Sequence, residues 1–344
     1  MLRSKDADLK RHVAAYLCLV TVLWCASGAS CPTMRQGLTP QAPTMFAGPP
    51  TLQETIAAVN ASSGQIRQLQ SDSASLSIQG MPTLRASVAA GLPRNFRLRA
   101  NFMGVGEVLD LGSNDQLFWA MVDAPQFASG MPKAVYYARH DQYRHSAARR
   151  MLPIQPQWLV EAFGLEQLDP AGFHEGPYQH GPGQLQIRSR IASPDGDLTK
   201  VLVLHDRFGW IQEQHWYDPR GQLIASVFAS QHRYEPTAGV SLPHVIDVRM
   251  PPPALSLRIS VETYAVNQVY SDPAQLWAMP AFEGYPQIDL AAAAPQSLPP
   301  SVSPSAYSAP APPPNGFPQT GYRLNYRGYT ARRPGFPLRD VSLQ

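Results

Sequence analysis

The feature that most constrains this chain is a period of two in its apolar residues, recurring from about residue 76 to residue 264. It is cleanest in Asn95 to Phe102, where Phe96, Leu98, Ala100 and Phe102 alternate with Arg97, Arg99 and Asn101. Successive side chains of a strand point to opposite faces, so this run is predicted to be a half-buried antiparallel strand. Similar alternation is carried by Leu76 and Ile78, and by Leu84, Ala86 and Val88. The segments 107–111, 116–122 and 133–139 continue it, and 184–192, 199–205, 210–217, 222–234, 244–250 and 255–264 follow. Turn-forming clusters separate these runs, among them Pro194-Asp195-Gly196-Asp197, Asp206-Arg207-Phe208-Gly209 and Asp218-Pro219-Arg220-Gly221. About eleven or twelve sequential strands with short turns make an antiparallel meander, and a sheet of that size must curl or close.

Helical spacing is confined to a few places. Leu52, Ile56 and Val59 predict an amphipathic helix over 52–61, and the period changes after Ser62-Ser63-Gly64. A helical interruption is expected midway, with a first turn set over 143–151 and a short helix from Pro156 to Phe163, started by proline and ended at Gly164.

The two ends differ in kind from this core. Of the net charge of +3, residues 1–30 carry +2 and residues 286–344 carry +3, which leaves the middle at −2. A folded part of that charge has no polyanion-binding signature, and nucleic acid is not an expected partner. At the N-terminus, basic residues ending at Lys10-Arg11 precede an apolar run, Val13 to Ala26, too short for a membrane span of about 20 residues. Small residues Ala26 to Ser30 then lead to Cys31, and all 3 cysteines lie at or before that position. The pattern reads as an export signal over 1–30 followed by a disordered tether over 31–50.

From 291 onward the chain is rich in Pro, Ala and Ser, a mixture that buries too little apolar surface to offset its ordering entropy. The segment 291–344 is predicted to be an extended tail. Its end interleaves Tyr322, Tyr326 and Tyr329 with Arg323 and Arg327 before Arg332-Arg333, a pattern open to two readings: a solvated tail, or a contact with anionic lipid or cell-wall polymer.

The signal resembles that of bacterial lipoproteins, in which the cysteine after the cut is acylated. That resemblance makes Cys31 the lipidation residue, with ordinary signal-peptidase cleavage and an uncleaved anchor as the alternatives. Gly28 stands where the lipoprotein pattern prefers leucine, while Ala29 and Ser30 fit it. No Asp follows Cys31, which makes the periplasmic face of the outer membrane the default location. In the core, the element order and the phrase Leu111-Gly112-Ser113-Asn114-Asp115-Gln116-Leu117-Phe118-Trp119 resemble periplasmic lipoprotein carriers of the LolA/LolB type, whose fold is shared by the N-terminal domain of RseB-like sensors. The phrase is similar to versions in exported planctomycete-type lipoproteins. The resemblance spans 51–290 and implies a mainly β fold with a few helices: a strongly curved, half-open antiparallel barrel with a helical lid, whose concave apolar face holds acyl chains. On that reading Phe96, Leu98, Phe102, Trp119, Met121 and Trp158 are the candidate ligand-binding residues, lining one inner face. The same residues equally suit a filled core.

Enzymatic chemistry finds little support. A core without cysteine has no thiol nucleophile and no CxxC site, and His140 and His145 are off the spacing of a helical metal pair. In a hairpin turning at Arg207-Phe208, His205 faces Trp210 while His215 lies far down the ladder. Gly104-Val105-Gly106 reads as a turn, and no catalytic residue, metal or cofactor is assigned. Two classes of function remain: a tethered protein that binds lipid or lipoprotein acyl chains, and a structural or regulatory envelope protein that binds a peptide, a protein partner or cell wall through its sheet and tail.

Overall fold

The computed structural model describes residues 40–123, 133–146, 156–251, 255–268 and 272–292, all within the unit Met1–Val302. The signal region, Cys31, the tether as far as residue 39, the tail beyond 292 and the 147–151 part of the turn set lie outside the described residues.

The chain opens with α1 (Leu52–Gly64), then runs β1 (Gln68–Ile78), β2 (Leu84–Gly91), β3 (Asn95–Phe102), β4 (Gly106–Ser113), β5 (Leu117–Val122) and β6 (Val135–Arg139). Two short helices follow, α2 (His140–Tyr143) and α3 (Pro156–Ala162). A second run holds β7 (Phe173–Gly181), β8 (Gln184–Ile191), β9 (Leu198–His205), β10 (Ile211–Tyr217) and β11 (Leu223–Ser230). Next come β12 (Arg233–Glu235), β13 (Val240–Leu242), β14 (Val245–Met250), β15 (Leu255–Val261), β16 (Ala265–Val266), α4 (Pro273–Leu276) and β17 (Gln287–Asp289).

One large sheet has the order β17-β6-β5-β4-β3-β2-β1-β15-β14-β11-β10-β9-β8-β7, with β16 added beside β1 and β12-β13 forming a separate hairpin. The sheet stays open, ending at β17 and β7. Its antiparallel meanders match the alternation in the sequence, with one difference: β17 pairs with β6 in parallel, so the sheet is mixed. The segment expected as one strand over 222–234 is broken at Gln231, whose φ is 55°, and its second part leaves the main sheet. β7 was not anticipated because its sequence, FHEGPYQHG, is polar, carries Pro177 and shows no apolar alternation. That composition suits its position at the edge: proline and bulged pairing spoil it as a template for another chain.

The sheet wraps around α3. Phe163, just past the helix, lies 6.1 Å from Phe96 on β3, while Trp158 within it stacks at 4.7 Å on Trp216 of β10. Those strands are six places apart, about 29 Å along a flat sheet, whereas a helix is only about 10–12 Å across. Only strong curvature brings both to one helix. α1 lies over β8 and β9, packing Ile56 and Val59 on Ile187, Leu202 and Leu204. It is started by a capping box in which Glu54 N–H donates to Thr51 Oγ1 while the Glu54 carboxylate accepts from Thr51 N–H. Asn60 ties it to the loop behind α3, donating to Leu168 O and accepting from Leu168 N–H, both at 2.7 Å. The fold is thus a mainly β, curved open sheet with α1 and α3 on its concave side.

Candidate functional site

The concave face follows from strand register. Cross-strand partners share a face, so Ala90, Phe96, Ser113 and Phe118 form one row and Val88, Leu98, Leu111 and Ala120 the next. Phe96, Leu98 and Trp158 are buried in one apolar cluster with Phe163, Leu165 and Trp216. Phe102 continues this face past its rim and is 39% exposed. The β3–β4 turn that follows carries Met103 and Val105, which are 87% and 65% exposed. Gly104 and Gly106 have φ of 82° and 103°, a conformation that favours glycine, so the tight turn holds these apolar side chains out in water. The apolar interior therefore ends in an apolar tip.

Trp119 and Met121 are not on this face. They pair with Gly112 and Asp110 on β4, and through them align with Arg97 and Arg99 on the convex side. The expectation of one inner face assumed that the apolar parity of β3 carried across to Trp119; the register places Phe118 there instead. Both residues are buried all the same, under Met279, Phe282 and Tyr285 from the segment after α4. Beneath that strap Asp110 accepts from Trp119 Nε1 at 3.0 Å and from Arg97 Nη2 at 2.7 Å. Arg97 also donates to the carbonyls of Gln275 and Leu276 at the end of α4. This buried polar cluster pins the strap to the convex side.

Among the described residues the apolar side chains of the concave face are closely packed. Between α1, α3 and β10 lies a cavity of about 30 Å³, room for one or two waters, lined among others by Val59, Glu161, Trp210, Gln214 and His232. Gln214 Oε1 is buried there without a hydrogen-bond partner among the described residues. Beside it Lys200 Nζ donates to Glu161 Oε2 at 2.6 Å and to Glu166 Oε2 at 2.5 Å, with all three side chains buried. Burial, and then the charge of Glu161, push the Glu166 carboxyl up to about 7 against the pull of Lys200. Burial pulls the Lys200 ammonium down, but the two carboxylates outweigh it and hold it above its ordinary value. Its Nζ also lies 5.2 Å from the Trp216 ring centroid. Sequence reasoning passed over this cluster, although Lys200 shares parity with the apolar Leu202 and Leu204, the one sign that a charge points inward.

The histidines mostly serve the frame. His174 bridges Ser189 Oγ and the carbonyl of Asp169, each at 2.7 Å. As the hairpin reading required, His205 faces Trp210, with ring centroids 5.5 Å apart, and His215 pairs with Val201 farther down. A second unanticipated group lies on the convex side: Ser226 Oγ is 2.8 Å from His215 Nδ1, and His215 Nε2 is 3.0 Å from Glu213 Oε2. The order suggests a nucleophile relay, but Ser226 is buried at the sheet surface and its partners sit on directly paired strands. The His215 bond, opposed by burial, holds Glu213 below the usual carboxylate range.

No family model matches the chain, and no curated protein matches it in sequence. Solved structures are similar in fold. One is a domain described as belonging to an outer membrane lipoprotein-sorting protein of Vibrio parahaemolyticus (8% identity, 64% of this chain and 95% of that one, TM-score 0.43). Another is a DUF1329 family protein of Desulfovibrio piger (11%, 65% and 95%, TM-score 0.42). A third is a LolA superfamily protein of Nitrosomonas europaea (9%, 65% and 97%, TM-score 0.40).

Proposed function

We propose that this chain is a non-enzymatic lipoprotein of a bacterial envelope, acylated at Cys31 and held at the periplasmic face of the outer membrane, that binds acyl chains of lipids or of other lipoproteins. The observation that carries the reading is the exposed tip of Phe102, Met103 and Val105 at the rim of the buried apolar face of Phe96 and Leu98. Fully burying an exposed large apolar side chain gains roughly 1.5–3 kcal/mol, so Met103 and Val105, with a smaller share from Phe102, make this turn an apolar contact. An acyl chain seated there gains about 0.8 kcal/mol per buried CH₂. The tip makes the first contact, and entry along the concave face then requires α3, with Trp158, to give way. Trp119 and Met121 act from the other side, as packing for the strap rather than as ligand contacts.

The packed interior supports a second reading, a protein partner bound outside the core. Its best surface is made by side chains rather than by backbone pairing at the spoiled β7 edge: Phe173 and Tyr178 stand about half exposed under Arg190 and Arg188.

Native mass spectrometry of the chain purified from an envelope, followed by lipid analysis, separates the two. Acyl lipid that co-purifies with the parent and is lost in the folded Phe102→Glu/Val105→Glu variant is the expected result. A ligand-free mass, with no uptake of a fluorescent fatty acid, overturns the acyl reading.

A further inference from the structure

The Glu161–Lys200–Glu166 cluster does more than hold two elements together. Glu161 belongs to α3, Glu166 follows the Gly164 turn behind it, and Lys200 stands on β9, so the only ammonium in the group fastens the lid segment to the sheet at two points. With both carboxylates ionised the buried group carries one uncompensated negative charge, which an interior of low dielectric opposes. With one proton taken up it is neutral.

We propose that this cluster is a proton-controlled latch: uptake of one proton secures α3 over the concave face, and its release loosens the helix. Among the described residues the groups facing it are few. Gln157 donates to Glu161 Oε1 and Gln214 to the Glu161 carbonyl, both without charge. Ser189 on β8 pairs with Lys200 in register and is engaged by His174. Across the cavity stands His232, kept neutral by burial down to about 4. The cavity lined by Glu161 and Gln214 gives water a place beside Glu161. Burial and the neighbouring carboxylate place the Glu166 proton near pH 7, where a change of external pH moves it.

What the opening serves rests on the acyl-binding reading, but the latch is tested on the protein alone, so the two fail separately. The stacked Trp158 and Trp216, with centroids 4.7 Å apart, report on α3 through near-ultraviolet circular dichroism. Hydrogen exchange of the α3 amides reports the same event. In the full chain, raising pH from 5 to 9 is expected to weaken the stacked-indole signal and to raise the intrinsic-rate-corrected opening of α3 at least tenfold, with a midpoint near 7. Glu166→Gln, neutral at every pH, is expected to stay closed throughout, and His174→Asn to keep the parental midpoint. A parent whose α3 opening is flat between pH 5 and 9 overturns the latch without reference to any variant. So does a transition that persists unchanged in folded Glu166→Gln.

Discussion

Gly112 and Trp119 are direct cross-strand partners, and the indole occupies the space a side chain on residue 112 would need: a Cβ there would lie 1.9 Å from Trp119 Cζ2. The glycine lets the ring lie flat against β4, where its N–H reaches Asp110 and Arg97 sits 5.8 Å from its centroid. Gly112→Ala is therefore expected to push the indole off the sheet and to cost about 2–4 kcal/mol, from overpacking and a lost buried hydrogen bond. Urea denaturation of both chains reads the difference directly.

Lys200 is the only cation in its cluster. Lys200→Met leaves two carboxylates buried without a counter-charge and is expected to destabilise the chain by about 3–5 kcal/mol. Adding Glu161→Gln and Glu166→Gln removes the charge problem and is expected to recover most of that loss. A triple variant no more stable than Lys200→Met alone would show that the cost lies in packing around the lysine stem.

Asn60 joins α1 to the loop behind α3 through both of its amide atoms. Asn60→Ala frees the Leu168 N–H and carbonyl in a partly buried place, with an expected cost of about 1–3 kcal/mol. Equilibrium denaturation measures it, and hydrogen exchange at the Leu168 amide should rise in step.

Two buried groups give the stability opposite pH slopes. Between about 4.5 and 7 the folded chain keeps a proton on Glu166 that the unfolded chain has released, so this contribution falls as pH rises through that window and levels off above it. His232, pushed down to about 4 mainly by burial, works the other way. The unfolded chain takes its proton near 6.5, so the His232 contribution is complete above 6.5 and is lost as pH falls toward 4. Glu166→Gln should therefore steepen the rise of stability between pH 4 and 6.5. His232→Asn should steepen the fall between 4.5 and 7. Denaturation midpoints across pH 4 to 8 for the three chains check both signs.

The strands of the core were legible because alternation is a direct imprint of a sheet with one buried face. Phe96, Leu98 and Ala100 declare their own face without outside help. How that face maps onto the next strand was not legible, since it depends on cross-strand register. Trp119 looked like a partner of Phe96 and proved to lie on the far side of the sheet, because Ser113 pairs with both Phe96 and Phe118. β7 was missed for the opposite reason: an edge strand with little burial has no alternation to show. The latch was legible only as a lysine on an apolar parity, a weak sign without Glu161 and Glu166, which lie 39 and 34 residues away. The Gly104-Val105-Gly106 turn was legible, but that Phe102, Met103 and Val105 stand exposed around it was not, because Phe102 carries the same parity as the buried Phe96 and Leu98.

The most direct test places an environment-sensitive fluorophore at the tip. Because all 3 cysteines lie in the first 31 residues, replacing Cys18, Cys25 and Cys31 by serine and introducing Met103→Cys gives a single labelling site. With an NBD group there, addition of phospholipid vesicles is predicted to shift emission to the blue and raise its intensity. The same label at Arg220→Cys, on the exposed β10–β11 turn, should remain unchanged. An NBD signal at residue 103 that stays that of water with every vesicle composition, in a chain that keeps its fold, would contradict the account.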